Sequence, residues 1–224
     1  MSEFYLVRHG QASFGADNYD QLSELGYQQA LWLGQHLKER DIKFDRVVLG
    51  SMARHQQTAE NICKGLEVDI PFDVHEGLNE YDFHRLVKTY LQQFPEQAPS
   101  EDADHRDFYR VLKKALQLWS KDELNGDIPE TWSNFQQRVR SALNEVQNCE
   151  RSKRTLVVSS GGPIAMSMCQ VLNLADEMMI QLNLQVKNTS FSQFFYNAKS
   201  IQLASFNCTS HLETAWRKDA ITFS

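Results

Sequence analysis

Arg8 and His9 stand directly after the apolar run Phe4 to Val7 and directly before Gly10. A neutral imidazole can attack phosphorus at physiological pH, and a neighbouring guanidinium can hold phosphate oxygens through a bidentate fork. Taken alone, the tripeptide is more simply read as a structural histidine that follows a strand than as a catalyst. Arg54, within Ser51-Met52-Ala53-Arg54-His55-Gln56-Gln57-Thr58-Ala59, stands at a predicted helix start, where free backbone N–H groups add to an anion site. By itself an arginine there opposes the helix dipole and reads as an exposed side chain. A third segment, Ser159 to Gly162, follows another apolar β-branched run, and Gly161 and Gly162 offer backbone donors at a helix start.

The elements that must position these residues are legible in the pattern. Phe4 to Val7, Arg46 to Leu49 and Thr155 to Ser159 read as short strands. Ser23 caps a helix reaching Glu39, with Leu25, Ala30, Leu33 and Leu37 at helical spacing. A second helix spans Arg54 to Gly65, with Ala59, Ile62 and Cys63 inward and Gly65 placed to end it. Gly161-Gly162-Pro163 forms a turn before a helix from Ile164 to Leu172.

Between these parts, Asp82 to Glu130 reads as a helical cap. Its helices cover Leu86 to Phe94 and Asp107 to Trp119 and are joined through Pro95, Pro99 and the acidic stretch Glu101 to Asp104. Trp132 to Val146 returns as a long helix, and Ser190 to Tyr196 pairs with Ile201 to Phe206 through Asn197-Ala198-Lys199. Alternating strands and helices predict a three-layer α/β fold, one domain over 1–224 with the cap inserted at about 82–130. Ligands collect at the carboxyl ends of such strands, so the three segments meet at one rim.

With 23 Lys and Arg against 29 Asp and Glu, the net charge is -6, which gives no general field for nucleic acid or an anionic membrane. An anionic substrate must therefore be drawn by a local arginine cluster. No stretch approaches the roughly 20 apolar residues of a membrane span, and the N-terminus lacks a basic region followed by an apolar one, so a cytoplasmic location is expected. Cys63, Cys149, Cys169 and Cys208 form no C-x-x-C pair and read as buried reduced thiols, and no histidine pair has metal-site spacing.

Leu6-Val7-Arg8-His9-Gly10-Gln11 resembles the signature of the histidine phosphatase superfamily, which includes the phosphoglycerate mutases. Leu22-Ser23 with Gly26 and Gln29-Ala30 is similar to that family's first-helix pattern, and Arg54 with Gln57-Thr58-Ala59 to its second-helix arginine motif. Leu78-Asn79-Glu80 resembles the segment that supplies the proton donor, and Phe135 to Val139 the helix leading to the last catalytic strand. The resemblance implies a mixed, mainly parallel sheet with flanking helices, a phosphohistidine intermediate, and no required metal or organic cofactor. It further implies His9 as nucleophile, Arg8 and Arg54 as phosphate ligands and Glu80 as general acid. The expected activity is hydrolysis of a small phosphorylated substrate or a phosphoprotein.

One position departs from the pattern. Ser160 stands where the family places a second catalytic histidine, so Ser160 and Gly161 are expected to contact phosphate, with Ser160 not a nucleophile for want of a nearby base. His55, His75, His84, His105 and His211 are the histidines that folding could bring into the gap, each more simply read as structural or exposed. A catalytically reduced, phosphate-binding or regulatory fold is the alternative reading. A mutase is disfavoured by Ala12 and Gly15, which replace the family's substrate-contacting Ser and Asn. Substrate contacts are expected from the cap through Tyr81, His84, Arg85, Lys88, Arg106 or Arg110, or else these charges line a solvated face.

Overall fold

The runs near positions 4, 46, 155 and 191 become neighbours in one sheet. The structure, a computed structural model, describes residues 2–13, 20–100, 105–149 and 152–223, with residue 105 described as backbone only. Strand β1 (Ser2–Arg8) pairs in parallel with β4 (Arg154–Ser159) and antiparallel with β5 (Phe191–Tyr196). Strand β2 (Arg46–Leu49) runs parallel to both β4 and β3 (Phe72–Val74), while β6 (Ile201–Cys208) pairs antiparallel with β5. The order is β3-β2-β4-β1-β5-β6, the mixed, mainly parallel sheet expected. Arg8 lies opposite Ser159, so the segments carrying His9 and Ser160 leave the sheet side by side.

Alternation along β1 explains the layers. Tyr5 and Val7 face a cluster with Leu33 and Leu37 of α1 (Glu24–Glu39) and Ile62 of α2 (Ala53–Leu66). Phe4 and Leu6 face Leu143 of α5 (Trp132–Gln147) and Ile164 and Met168 of α6 (Gly161–Leu172). Each such side chain contributes roughly 1.5–3 kcal/mol by leaving water, so both faces must be covered. Helices α3 (Phe83–Gln93) and α4 (His105–Trp119) join α5 and α7 (Asp176–Asn183) around Leu86, Leu116, Trp119, Phe135 and Met179, the expected cap packed on the body.

Several boundaries differ from expectation for physical reasons. Gly65 does not end α2; a Cβ there would lie 2.4 Å from the Leu31 carbonyl oxygen, so its absence permits the close crossing of α1 and α2. The helix ends at Glu67, in the left-handed region with φ 59°. Gly161, Gly162 and Pro163 form the first turn of α6 and not a turn before it, as suits proline near a helix start. Strand β3 and helix α7 were not expected: one has three residues, and neither has a distinctive apolar period. All four thiols are free, with Cys63 and Cys169 buried but Cys149 and Cys208 only half-buried. The acidic connection at 101–104 lies outside the described residues.

Candidate active site

The loop after β1 is held by polar side chains from the helices beside it. The His9 N–H donates to the Ser159 carbonyl at 2.9 Å, and the His9 carbonyl accepts from Asn188 Nδ2 at 3.2 Å. The Gly10 N–H reaches Thr58 Oγ1 at 3.1 Å, whose hydroxyl donates to the Arg54 carbonyl at 2.7 Å. The Gln11 N–H reaches Gln29 Oε1 at 2.8 Å. The glutamine and threonine of the two helix motifs thus act as backbone anchors. Gly10 also passes so close to α1 that a Cβ would lie 2.4 Å from the Gly26 carbonyl oxygen.

These anchors leave His9 buried, with Nδ1 2.7 Å from the Gly10 carbonyl and Nε2 accepting from Arg54 Nε at 3.2 Å. Nδ1 therefore carries the proton and Nε2 the lone pair. Burial first, then the Arg54 and Arg8 guanidiniums, hold the His9 pKa well below that of a free imidazole, so the ring is neutral at physiological pH. A neutral, oriented lone pair between two arginines is chemically suited to attack phosphorus.

Arg54 Nη1 pairs with Asp20 Oδ1 at 2.8 Å, while Asp20 Oδ2 accepts the Ala53 N–H at 2.9 Å. Met52, the N-cap of α2, has no capping side chain, so Asp20 both satisfies a helix-end donor and fixes Arg54. Sequence reasoning missed Asp20 because no local motif contains it. Arg8 Nη1 donates to the carbonyls of Val186 and Phe223.

Glu80 faces the same cavity from the segment after β3. Its Oε2 accepts the Gly162 N–H at 3.2 Å and its Oε1 accepts the Tyr81 N–H at 3.2 Å. Burial raises its pKa, opposed by the Gly162 N–H and the two arginines. A carboxyl held there can carry a proton more readily than a solvated one and give it to a leaving oxygen.

Arg8, His9, Arg54 and Glu80 line one cavity with Tyr81, Phe83, Phe108, Tyr109, Leu112, Asn183, Leu184 and Phe223. Gly161 approaches it: a Cβ there would lie 3.8 Å from Arg8 Cζ. Ser160 is fully buried at the start of α6, and its Oγ lies 2.8 Å from His55 Nε2. The expectation that Ser160 lacks a nearby basic group is therefore corrected. The two residues are 105 apart in sequence, and nothing local predicts their meeting.

Of the other histidines, His75 caps a short 3₁₀ turn by accepting the Gly77 N–H, and His211 is buried against Thr189. His84 is exposed, and the His105 side chain lies outside the described residues. Among the expected cap contacts only Tyr81 lines the cavity within the described residues. Arg85 and Arg110 are exposed in ion pairs with Asp127 and Asp107, and Lys88 and Arg106 are also exposed. Ala12 is buried in a bridge to Leu22, and Gly15 lies outside the described residues. Among the described residues no group of three His, Cys, Asp or Glu side chains is arranged to hold a metal ion, and no helix is long and apolar enough to cross a membrane.

The sequence model of the histidine phosphatase superfamily (branch 1) matches residues 4–209. The chain belongs to that family. Membership places it among enzymes of the phosphatase type, and the matched range spans Arg8, His9, Arg54 and Glu80. A relative from Citrobacter koseri described as "Probable phosphoglycerate mutase GpmB" is 26% identical over 216 residues, covering 91% of this chain and 89% of its own length. Phosphoserine phosphatase of Entamoeba histolytica, in complex with 3-phosphoglyceric acid, is similar in fold, with a TM-score of 0.65 at 21% identity over 95% of this chain and all of that one. The alpha-ribazole phosphatase of Shigella flexneri has a TM-score of 0.66 at 22% identity, over 92% of this chain and 96% of that one.

Proposed function

We propose that this family member hydrolyses small phosphomonoesters, without a metal or organic cofactor, through a phosphohistidine on His9. The observation that carries the reading is the His9 ring. Its Nδ1 is committed to the Gly10 carbonyl, and its Nε2 lone pair is held toward Arg54 inside a cavity that also contains the Glu80 carboxyl. Arg8 and Arg54 bind the phosphoryl oxygens, and oxygen binding takes over the contact that Arg54 Nε makes with Nε2. Nε2 then attacks phosphorus, the ester P–O bond breaks, and the Glu80 carboxyl proton passes to the departing oxygen. In the second half the Glu80 carboxylate takes a proton from water, the water oxygen attacks phosphorus, and the P–N bond breaks. Inorganic phosphate leaves, with Glu80 protonated and His9 neutral again.

The cap-side wall of Phe83, Phe108, Tyr109 and Leu112 favours an organic group with apolar surface over a small second anion. The test is turnover of an aryl phosphate in chelator by wild type and His9→Ala, with acid-labile phosphate measured on the protein. Turnover and acid-labile label, both lost in His9→Ala, are expected. Turnover retained in His9→Ala overturns the proposal. Formation of 2-phosphoglycerate from 3-phosphoglycerate with a bisphosphorylated primer, at a rate exceeding hydrolysis, replaces it with a mutase.

A further inference from the structure

Two fully buried amides, Gln29 of α1 and Asn188 in the segment before β5, each join the same two pieces of chain. Gln29 Oε1 accepts the Gln11 N–H, while its Nε2 donates to the Ala220 carbonyl at 2.7 Å and to Thr222 Oγ1 at 3.0 Å. Asn188 Nδ2 donates to the His9 carbonyl, while its backbone N–H reaches the Thr222 carbonyl at 2.9 Å and its Oδ1 accepts the Thr222 hydroxyl at 2.8 Å. Each residue therefore grips the His9 loop on one side and residues 220–223 on the other.

A buried primary amide has two protons and a carbonyl oxygen to satisfy, and a donor left without an acceptor there costs more than a made bond gains. Gln29 meets that demand only with residues 220–223 in place, since its Nε2 donates to them alone. Thr222 Oγ1 is the joint, accepting from Gln29 and donating to Asn188. The docked segment reaches the cavity at Phe223, whose side chain joins the lining and whose carbonyl accepts from Arg8 Nη1. The same Nη1, a nitrogen with two protons to give, also donates to the carbonyl of Val186, two residues before Asn188. Two carbonyls on one terminal nitrogen fix the plane of the guanidinium, and such a fork recognises phosphate oxygens only when plane and edge are aimed.

We propose that Gln29 and Asn188 are positioning residues that clamp residues 220–223 to the His9 loop, and that this clamp aims the Arg8 guanidinium at the phosphoryl group. The inference rests on the reading of Arg8 as a phosphate ligand, but the hold on Arg8 is measurable without any ligand.

Thr222→Val tests it, because it removes both hydroxyl bonds of the joint at nearly constant volume and changes no side chain of the cavity lining. In ¹⁵N-labelled protein the Arg8 guanidinium is expected to rotate slowly about its Cζ–N bonds in wild type and faster in Thr222→Val. Equal rotation in the two overturns the proposal. Inorganic phosphate, titrated by calorimetry, should bind roughly tenfold more weakly to Thr222→Val. Binding close to that of wild type is expected in Thr222→Ser, which keeps the hydroxyl. In Arg8→Lys a point charge replaces the fork and nothing is left to aim, so adding Thr222→Val should change phosphate binding little. Equal losses with and without Arg8→Lys mean general loosening and overturn the proposal. Wild type that binds phosphate but forms no phosphohistidine removes the proposed function and leaves the clamp to these two readouts. Wild type that binds no phosphate overturns both.

Discussion

Asp20 clasps Arg54, one carboxylate oxygen on Nη1 at 2.8 Å and the other on the Ala53 N–H at 2.9 Å. It links the end of a helix to the orientation of the guanidinium beside His9. Asp20→Ala is expected to cost about 1 kcal/mol of stability through the lost helix-end contact. It should also lower kcat/KM at least tenfold, because Arg54 loses its hold. Asp20→Asn, which still accepts the Ala53 N–H, should recover most of the stability and less of the activity. Thermal unfolding and steady-state kinetics on the two variants check this, and an equal recovery of both would contradict it.

Activity should have an acid optimum set by opposite shifts. In the proposed reaction His9 must be neutral, which its depressed pKa allows well below pH 6.5, and Glu80 must be protonated, which fails as pH rises through its raised pKa. The rate of phosphoenzyme formation should therefore fall on the alkaline side. In Glu80→Gln the rate should be low at every pH and that limb absent. Rapid-quench measurement of phosphoenzyme formation across pH tests it; an alkaline limb surviving in Glu80→Gln assigns the limb to another group.

Stability should fall in acid between about pH 6.5 and 3. His55 and His211 are buried with pKa values lowered to about 3, so between these limits the unfolded chain binds protons that the native chain refuses. Stability is therefore present above pH 6.5 and is lost as pH falls toward 3. Replacing His211 by Gln removes one of these protons and should flatten the slope of unfolding free energy against pH over this range. Denaturant melts at several pH values measure it, and an unchanged slope counts against His211 as a contributor.

Gly162 brings its N–H to Glu80 Oε2, and a Cβ there would lie 2.2 Å from Glu80 Oε1 and 2.5 Å from a Tyr81 ring carbon. Gly162→Ala must move the Glu80 carboxyl, the proposed proton donor. A loss of roughly 10²-fold or more in kcat is expected, with a smaller loss for aryl phosphates whose leaving groups need no protonation. Comparing substrates of different leaving-group acidity reads this directly; a uniform loss across the series points to general disruption.

The fold and most of the cavity were legible because their signals are local. Arg8 and His9 follow a strand, Arg54 opens a helix, and register between β1 and β4 then brings Ser159 opposite Arg8. What escaped is held by long-range contacts. Asp20 meets Arg54 across 34 residues and His55 meets Ser160 across 105, and no period or motif encodes either meeting. Gly65 misled for a related reason: its need is set by the helix packed against it, which a one-dimensional reading takes for a stop signal. The aromatic wall escaped because Phe83, Phe108 and Tyr109 share the amphipathic pattern of the cap helices with residues that face the core.

Arg8 is translated long before the carbonyls that hold it, which belong to Val186 and Phe223, 178 and 215 residues later. Its strand likewise waits for partners from positions 154–159 and 191–196. The side of the cavity that carries Arg8 therefore cannot be assembled before those segments are made. On the ribosome, a nascent chain ending before β4 carries the arginine and the histidine of the site without the scaffold that aims them. If the proposed chemistry holds, translation products that stop before β4 should be inert toward phosphoesters instead of weakly active.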